Sequence, residues 1–230
     1  MDYNSKMSDG VDSWETMMLL YKSALMEVGT KLEILNEEFK HIHQYNPIEH
    51  IKQRIKSPES IVKKLKKRGL DSTIENMREF INDIAGIRVI CSFTSDIYRI
   101  AEMIRNQNDI KVISVKDYII SPKESGYKSF HMIVSVPIYL SDSVVDTKVE
   151  IQIRTVAMDF WASLEHKVNY KLDQDDSDEE IKNIRRRLYD CAQMVSVLDD
   201  EMLALNEKMQ DLIEKQEKER EEEACKEKKK

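Results

Sequence analysis

The chain has 230 residues, 41% of them hydrophobic and 34% charged, with a formal charge of −7; that is enough for one domain with a sizeable core plus extensions, or two small ones. No apolar run approaches the roughly 20 residues of a membrane-spanning helix, and the polar, acidic start MDYNSKMSDGVDSWE has no secretion-signal pattern, so a cytoplasmic protein that does not enter a membrane is expected. Three widely separated cysteines, Cys91, Cys191 and Cys225, argue against a disulfide framework or a zinc site.

In chain order, the first pattern is a stripe. Trp14, Met18, Tyr21, Leu25, Val28, Leu32, Leu35 and Phe39 recur in steps of four and three, which predicts a long helix with one narrow apolar seam. Next comes a basic island. The stretch KQRIKSPESIVKKLKKR, residues 52–68, sets eight basic residues against the single acid Glu59, and so points to a localised partner with several negative charges. Inside it Ser57 and Pro58 start a helix and Gly69 stops it. Val- and Ile-rich runs predict strands at 87–93, 112–115, 130–139 and 148–155. Between the first two, Ile97, Ile100 and Ile104 predict a helix over 95–106 capped by Ser95 or Asp96. The acidic run DQDDSDEE at 173–180 lacks calcium-loop spacing and reads as a solvated linker. A second seam follows, from Ile181 through Ile184, Leu188, Cys191, Val195, Leu198, Met202, Leu205 and Met209 to Leu212. It predicts another long helix, whose charged last turns past Leu212 are expected to fray. These seams either pack on the centre of the molecule or join subunits.

The expected architecture is α/β of the α+β kind, a mixed β-sheet flanked by helices, with long N- and C-terminal helices. Its divisions are an N-terminal helical extension over 1–44, a core domain over 45–172, and a C-terminal helix with a charged tail over 173–230.

One strand stands out. In VEIQIRT, Val149, Ile151 and Ile153 face the core, so Glu150, Gln152 and Arg154 line the other face about 7 Å apart. An ordinary amphipathic strand facing water would read the same way. The second acid Asp83, in NDIAGIRVICSF at the mouth of another strand, shifts the balance. Two carboxylates delivered from two strands can share Mg²⁺, which keeps phosphate oxygens as further ligands, while nearby basic residues hold the remaining phosphates. Trp161 and Phe160 read as core.

RIKSPESIVKKL, DIAGIRVICSF, KESGYKSFHMIV and VEIQIRTVAMDFWASLEHKVNYK, in that order, resemble the synthetase domain of RelA/SpoT-type enzymes over about residues 45–172. No His-Asp dipeptide occurs, so the hydrolase of the long enzymes is not expected, and the chain is similar to small alarmone synthetases of the RelQ type. The resemblance implies a nucleotidyltransferase-like fold, Mg²⁺ as cofactor, and transfer of pyrophosphate from ATP to the 3′-hydroxyl of GDP or GTP. It also implies a homo-oligomer, a tetramer by likeness to the family. By motif, Asp83 matches a metal-binding aspartate, and Glu150 matches the glutamate that completes the metal site or activates the hydroxyl. Arg54, Lys56 and Lys64 match clamps on the ATP phosphates, and Arg88 and Lys116 match cations near the donor. Tyr127 matches the aromatic that stacks on guanine, with Lys123, His131 and Gln152 as acceptor contacts. Two departures stand out: SVKD at 114–117 replaces RxKD, and Asp159 stands where many relatives place asparagine. The alternative reading is a catalytically silent binder of guanine nucleotides or single-stranded RNA that uses the same basic island. Retained Asp83 and Glu150 weigh against it, because extra acids do not help to bind a polyanion unless a metal is present.

Overall fold

Ser13 opens the first element of the computed structural model, its hydroxyl oxygen accepting the backbone N–H of Thr16 ahead of helix α1, Trp14–Ile42. The structure describes residues 13–43, 45–169 and 178–227. After α1 come β1 (Ile48–Ile55), α2 (Pro58–Lys67), α3 (Ile74–Phe80), β2 (Ala85–Cys91), α4 (Thr94–Arg105), β3 (Lys111–Asp117), β4 (Phe130–Tyr139), β5 (Val144–Thr155), α5 (Val156–Asn169) and α6 (Glu179–Glu227).

The five strands form one mixed sheet in the order β1-β2-β5-β4-β3. Only β2 and β5 run parallel, and the crossover between them contains α4, β3 and β4. One face is apolar. On β5, Val149, Ile151 and Ile153 are fully buried, as the alternation predicts, and they join Ile87, Val89, Met132 and Val134 from the neighbouring strands. Helix α1 covers this face with Met17, Leu20, Tyr21, Leu25, Val28, Leu32 and Phe39, so most of its seam lies in the main core. Each such side chain contributes roughly 1.5–3 kcal/mol of burial.

Several boundaries differ from the sequence expectation. Helix α4 starts at Thr94 with Phe93 at the cap; Asp96 sits at the third helical position and accepts the Phe93 N–H, so the carboxylate satisfies the start from inside the first turn. Two elements are additional. Strand β1 runs into the start of the basic island, and α3 is a single short helix capped by Thr73. Phe160 is 60% exposed while its neighbour Trp161 is buried, because only the latter faces α6, donating its indole N–H to the Leu188 carbonyl. Helix α6 continues past Leu212 to Glu227, so its charged end is helical where fraying was expected; Glu214 and Lys218, one turn apart there, form an ion pair. Of the acidic run, residues 173–177 lie outside the described residues. Asp178 caps α6 by accepting the Glu180 N–H. None of the described helices is long and apolar enough to cross a membrane.

Candidate active site

The polar face of the sheet is where the candidate residues gather. Strand β5 occupies the centre, and register fixes what lies beside it. Glu150 pairs with Gly86 on β2 and Ile133 on β4, while Gln152 pairs with Arg88 and His131. Following these pairs to the edges gives two cross-strand rows. One runs Arg54, Gly86, Glu150, Ile133, Ser114; the next runs Lys52, Arg88, Gln152, His131, Lys116. Residues spread over 100 positions of sequence therefore share one surface, since side chains on paired positions face the same way.

Glu150 separates two cavities. On the β1 and β2 side, a cavity of about 160 Å³ is lined by Lys52, Gln53, Arg54, Arg88, Gln152 and Glu150. On the β3 and β4 side, one of about 220 Å³ is lined by Lys64, Asp83, Lys116, Tyr118, Lys123, His131 and Glu150 among others. Lys116 is thus placed with Lys123 and His131 rather than with Arg54 and Arg88, and Gln152 is placed with the two arginines. Gln152 Nε2 donates to Glu150 Oε2 at 2.8 Å, and His131 Nδ1 lies 3.5 Å from Oε1. Burial pushes the Glu150 carboxyl up and the nearby Asp83 charge adds to that, but His131 and the Gln152 amide together hold it below the ordinary carboxylate range.

Asp83 sits in the short connection between α3 and β2. Its two oxygens are each taken by a lysine at 2.8 Å, Lys56 from the end of β1 and Lys64 from α2. Burial raises its pKa and the two ammonium partners lower it further, so the group is ionised. The connection is tied from below. Lys148 Nζ donates to the carbonyls of Arg78 and Glu79 at the end of α3, and to Asn82 Oδ1, each at 3.1 Å. A cation on terminal helix carbonyls satisfies acceptors that lack helical partners.

The loop before β4 presents Tyr127. Gly126 precedes it with φ 85°, a left-handed turn in which glycine avoids the Cβ penalty. The loop is backed by α6: Ala192 packs against Gly126, and Lys128 Nζ donates to Ser196 Oγ. The Tyr127 hydroxyl meets His131 Nε2 at 2.9 Å, and the Lys123 ammonium lies 4.8 Å from the ring centroid. Arg154 donates to the Tyr127 hydroxyl and to Gln152 Oε1, with its guanidinium carbon 5.0 Å from the Tyr127 ring centroid. Arg154 is almost completely buried and also binds Ser129 Oγ and Asp159 Oδ1.

All eleven sequence-nominated residues therefore lie in or beside these cavities. Lys148 and Tyr118 were missed. Lys148 stands on the same face of β5 as Glu150, two positions earlier, so the alternation that drew attention to Glu150 already included it. Tyr118, whose ring meets both Tyr127 and His131 edge-on, follows the SVKD segment and had no comparable signal.

A mixed five-stranded sheet whose central strand offers a carboxylate between two cation-lined cavities is suited to handling polyphosphates. Residues 53–175 match the family described as "Region found in RelA / SpoT proteins", and this chain belongs to that family. More particularly, it is 45% identical over 199 residues to "GTP pyrophosphokinase YwaC" of Bacillus subtilis, covering 86% of this chain and 93% of that protein. Its structure is similar to that of small alarmone synthetase 2 from the same organism (TM-score 0.75, 44% identity, 85% of this chain and 98% of the other). It also resembles small alarmone synthetase 1 bound to its product pppGpp (TM-score 0.77, 33% identity, 86% and 98%).

Proposed function

We propose that this protein is a GTP pyrophosphokinase that transfers the terminal pyrophosphoryl group of ATP to the 3′-hydroxyl of GDP or GTP, releasing AMP and forming the alarmone (p)ppGpp. The observation that supports this most directly is Glu150 standing between the two cavities. ATP enters on the Arg54 and Arg88 side, the guanine nucleotide on the Tyr127, Lys123 and His131 side, and the reacting groups meet at the shared carboxylate. In the reaction the 3′-oxygen bonds to the β-phosphorus, the bond from that phosphorus to the bridging α,β-oxygen breaks so that AMP leaves, and the hydroxyl proton passes to the Glu150 carboxylate. Glu150, ionised and held by Gln152, accepts the hydrogen bond of that hydroxyl and orients its lone pair for attack. Lys56, Lys64 and Lys116 offset the charge of the transferring phosphates. The Tyr127 ring offers the guanine a stacking face, worth roughly 1–3 kcal/mol by analogy with nucleic-acid platforms.

The residues also fit Mg²⁺. Asp83 and Glu150 line one cavity, and among the described residues no group of three or more His, Cys, Asp or Glu side chains could hold a metal alone. Two carboxylates suit an ion that takes its remaining oxygens from water and phosphate. Bound there, Mg²⁺ would polarise the phosphoryl oxygens and neutralise developing charge. Lys56 and Lys64 would then pass from Asp83 to the substrate phosphates.

The exposed part of the α6 seam is proposed to meet a second copy of the chain, because Leu198, Met202, Leu205, Met209 and Leu212 are each about half or more exposed along a single stripe.

The test is direct. Purified protein with Mg²⁺, labelled ATP and GDP should yield labelled guanosine tetraphosphate, and Glu150→Gln should lower the rate by about 10²- to 10⁴-fold while leaving the melting temperature near wild type. Equal product from both proteins would remove Glu150 from the reaction.

A further inference from the structure

Asp159 lines neither nucleotide cavity, yet it touches Arg88 of the first and is linked through Arg154 and Tyr127 to His131 of the second. It sits in the first turn of α5, directly after β5, and is 8% exposed. Its Oδ1 accepts from Arg88 Nη1 at 2.9 Å and from Arg154 Nη1 at 3.2 Å, and its Oδ2 lies 3.9 Å from Lys52 Nζ. Arg88 lines the β1 and β2 cavity, and Arg154 holds the Tyr127 hydroxyl and ring. One buried carboxylate oxygen therefore joins a cation of one cavity, through Arg154, to the tyrosine that stands beside the other.

Electrostatics explain why an acid belongs there. Two guanidinium groups packed this closely repel. Burial is the largest force pulling the Arg88 pKa down and the Arg154 charge adds to it, while Asp159 opposes both. Without Asp159, two half-buried to buried cations would face each other with no shared counter-ion, a costly arrangement in a low-dielectric site. Asparagine there would keep the oxygen and remove the compensating charge.

We propose that Asp159 is a positioning residue for both substrates: it fixes Arg88 for the donor nucleotide and, through Arg154, fixes the Tyr127 platform for the acceptor. This rests on the assignment of donor and acceptor sides made above. Charge-assisted hydrogen bonds are about twice as strong as neutral ones, so replacing the anion loosens both arms together. The two arms leave Asp159 through different arginines, Arg88 and Arg154; Arg154 also donates to Gln152 of the donor-side cavity, a contact that is separate from its bond to Tyr127.

The experiment is a set of double-mutant cycles on the full-length enzyme, with KM measured separately for ATP and for GDP. Asp159→Asn should raise both KM values by about three- to tenfold and change kcat less. In an Arg88→Ala background the ATP effect of Asp159→Asn should vanish while the GDP effect remains. In an Arg154→Met background the GDP effect should vanish while the ATP effect remains. If Asp159→Asn leaves both KM values unchanged, or if its effects add fully in both backgrounds, Asp159 is a structural counter-ion only and the proposal is overturned. Should Arg154→Met fail to fold, Tyr127→Phe, which removes only the hydroxyl Arg154 donates to, tests the same arm by the same criterion. The assignment of sides has its own readout: Arg88→Ala alone must raise the ATP KM more than the GDP KM. A reversed order would overturn that assignment without touching the link between Asp159 and the two arginines.

Discussion

The two long helices, α1 and α6, carry the same kind of sequence pattern and meet opposite fates. Both have apolar residues in steps of three and four. In α1 most of the stripe is spent inside the molecule, with Val28, Leu32 and Phe39 buried in the main core. In α6 most of the corresponding stripe stays outside. The body of the protein is touched mainly by Ala192, Ser196 and Asp199, which are off the stripe, with Val195 and the Leu188 carbonyl the stripe's own contacts there. Periodicity specifies that a helix will form and which side is apolar; it does not specify which surface will cover that side.

That contrast can be broken or sharpened in four ways. The largest effect belongs to α1. Leu32→Ala should cost about 2–5 kcal/mol and lower the melting temperature by the same amount at every protein concentration. Leu198→Glu should instead reduce the mass in solution, with a loss of thermal stability that appears only where wild type is assembled. An unchanged mass would return the exposed α6 seam to the status of a solvated face. Third, Gly126→Ala tests the genuine contact between α6 and the body. The new methyl would stand 2.6 Å from the Ala192 Cβ, on a residue with positive φ. A cost of about 1–3 kcal/mol is expected, with the GDP KM rising more than the ATP KM.

The smallest effect is in pH dependence, and its sign differs between the two regions. Asp83 is held below the usual aspartate value, so its contribution is present above that value, about 3.9, and is lost as pH falls through the folded pKa. Asp199 on α6 accepts from Thr155 Oγ1 and is pushed up, chiefly by burial. Its contribution is present below the usual aspartate value and is lost as pH rises through the folded pKa. Asp83→Asn should therefore weaken the acid limb of a urea-unfolding profile, and Asp199→Asn should slow amide exchange in α6 at neutral pH. The same sign from both variants would contradict the assignment.

Much of the core was legible because its strands announce themselves. Phe130–Tyr139 is the third predicted strand and, with the same bounds, the observed β4, and β5 contains its predicted span. Strand β1 was hidden by its own composition. An edge strand reading IEHIKQRI buries little and has a row of basic side chains on one face, as edge strands often do. Helix α3, at seven residues, is too short for a period to emerge. In the site, Glu150 is readable from the polar row that alternates with the apolar one on its strand, and Asp83 from its place just ahead of another strand. Their environment is not. That Lys116 would face Lys123 rather than Arg88 follows from sheet order, and sheet order is a long-range property. The link from Asp159 to Arg88 spans 71 positions and leaves no local trace.

The Lys148 ammonium gives the site a further property. It ties the segment leading into Asp83 to the strand that carries Glu150, two positions from Glu150 itself. The spacing between the two carboxylates is thus gauged by one central strand, as marks are set along a ruler.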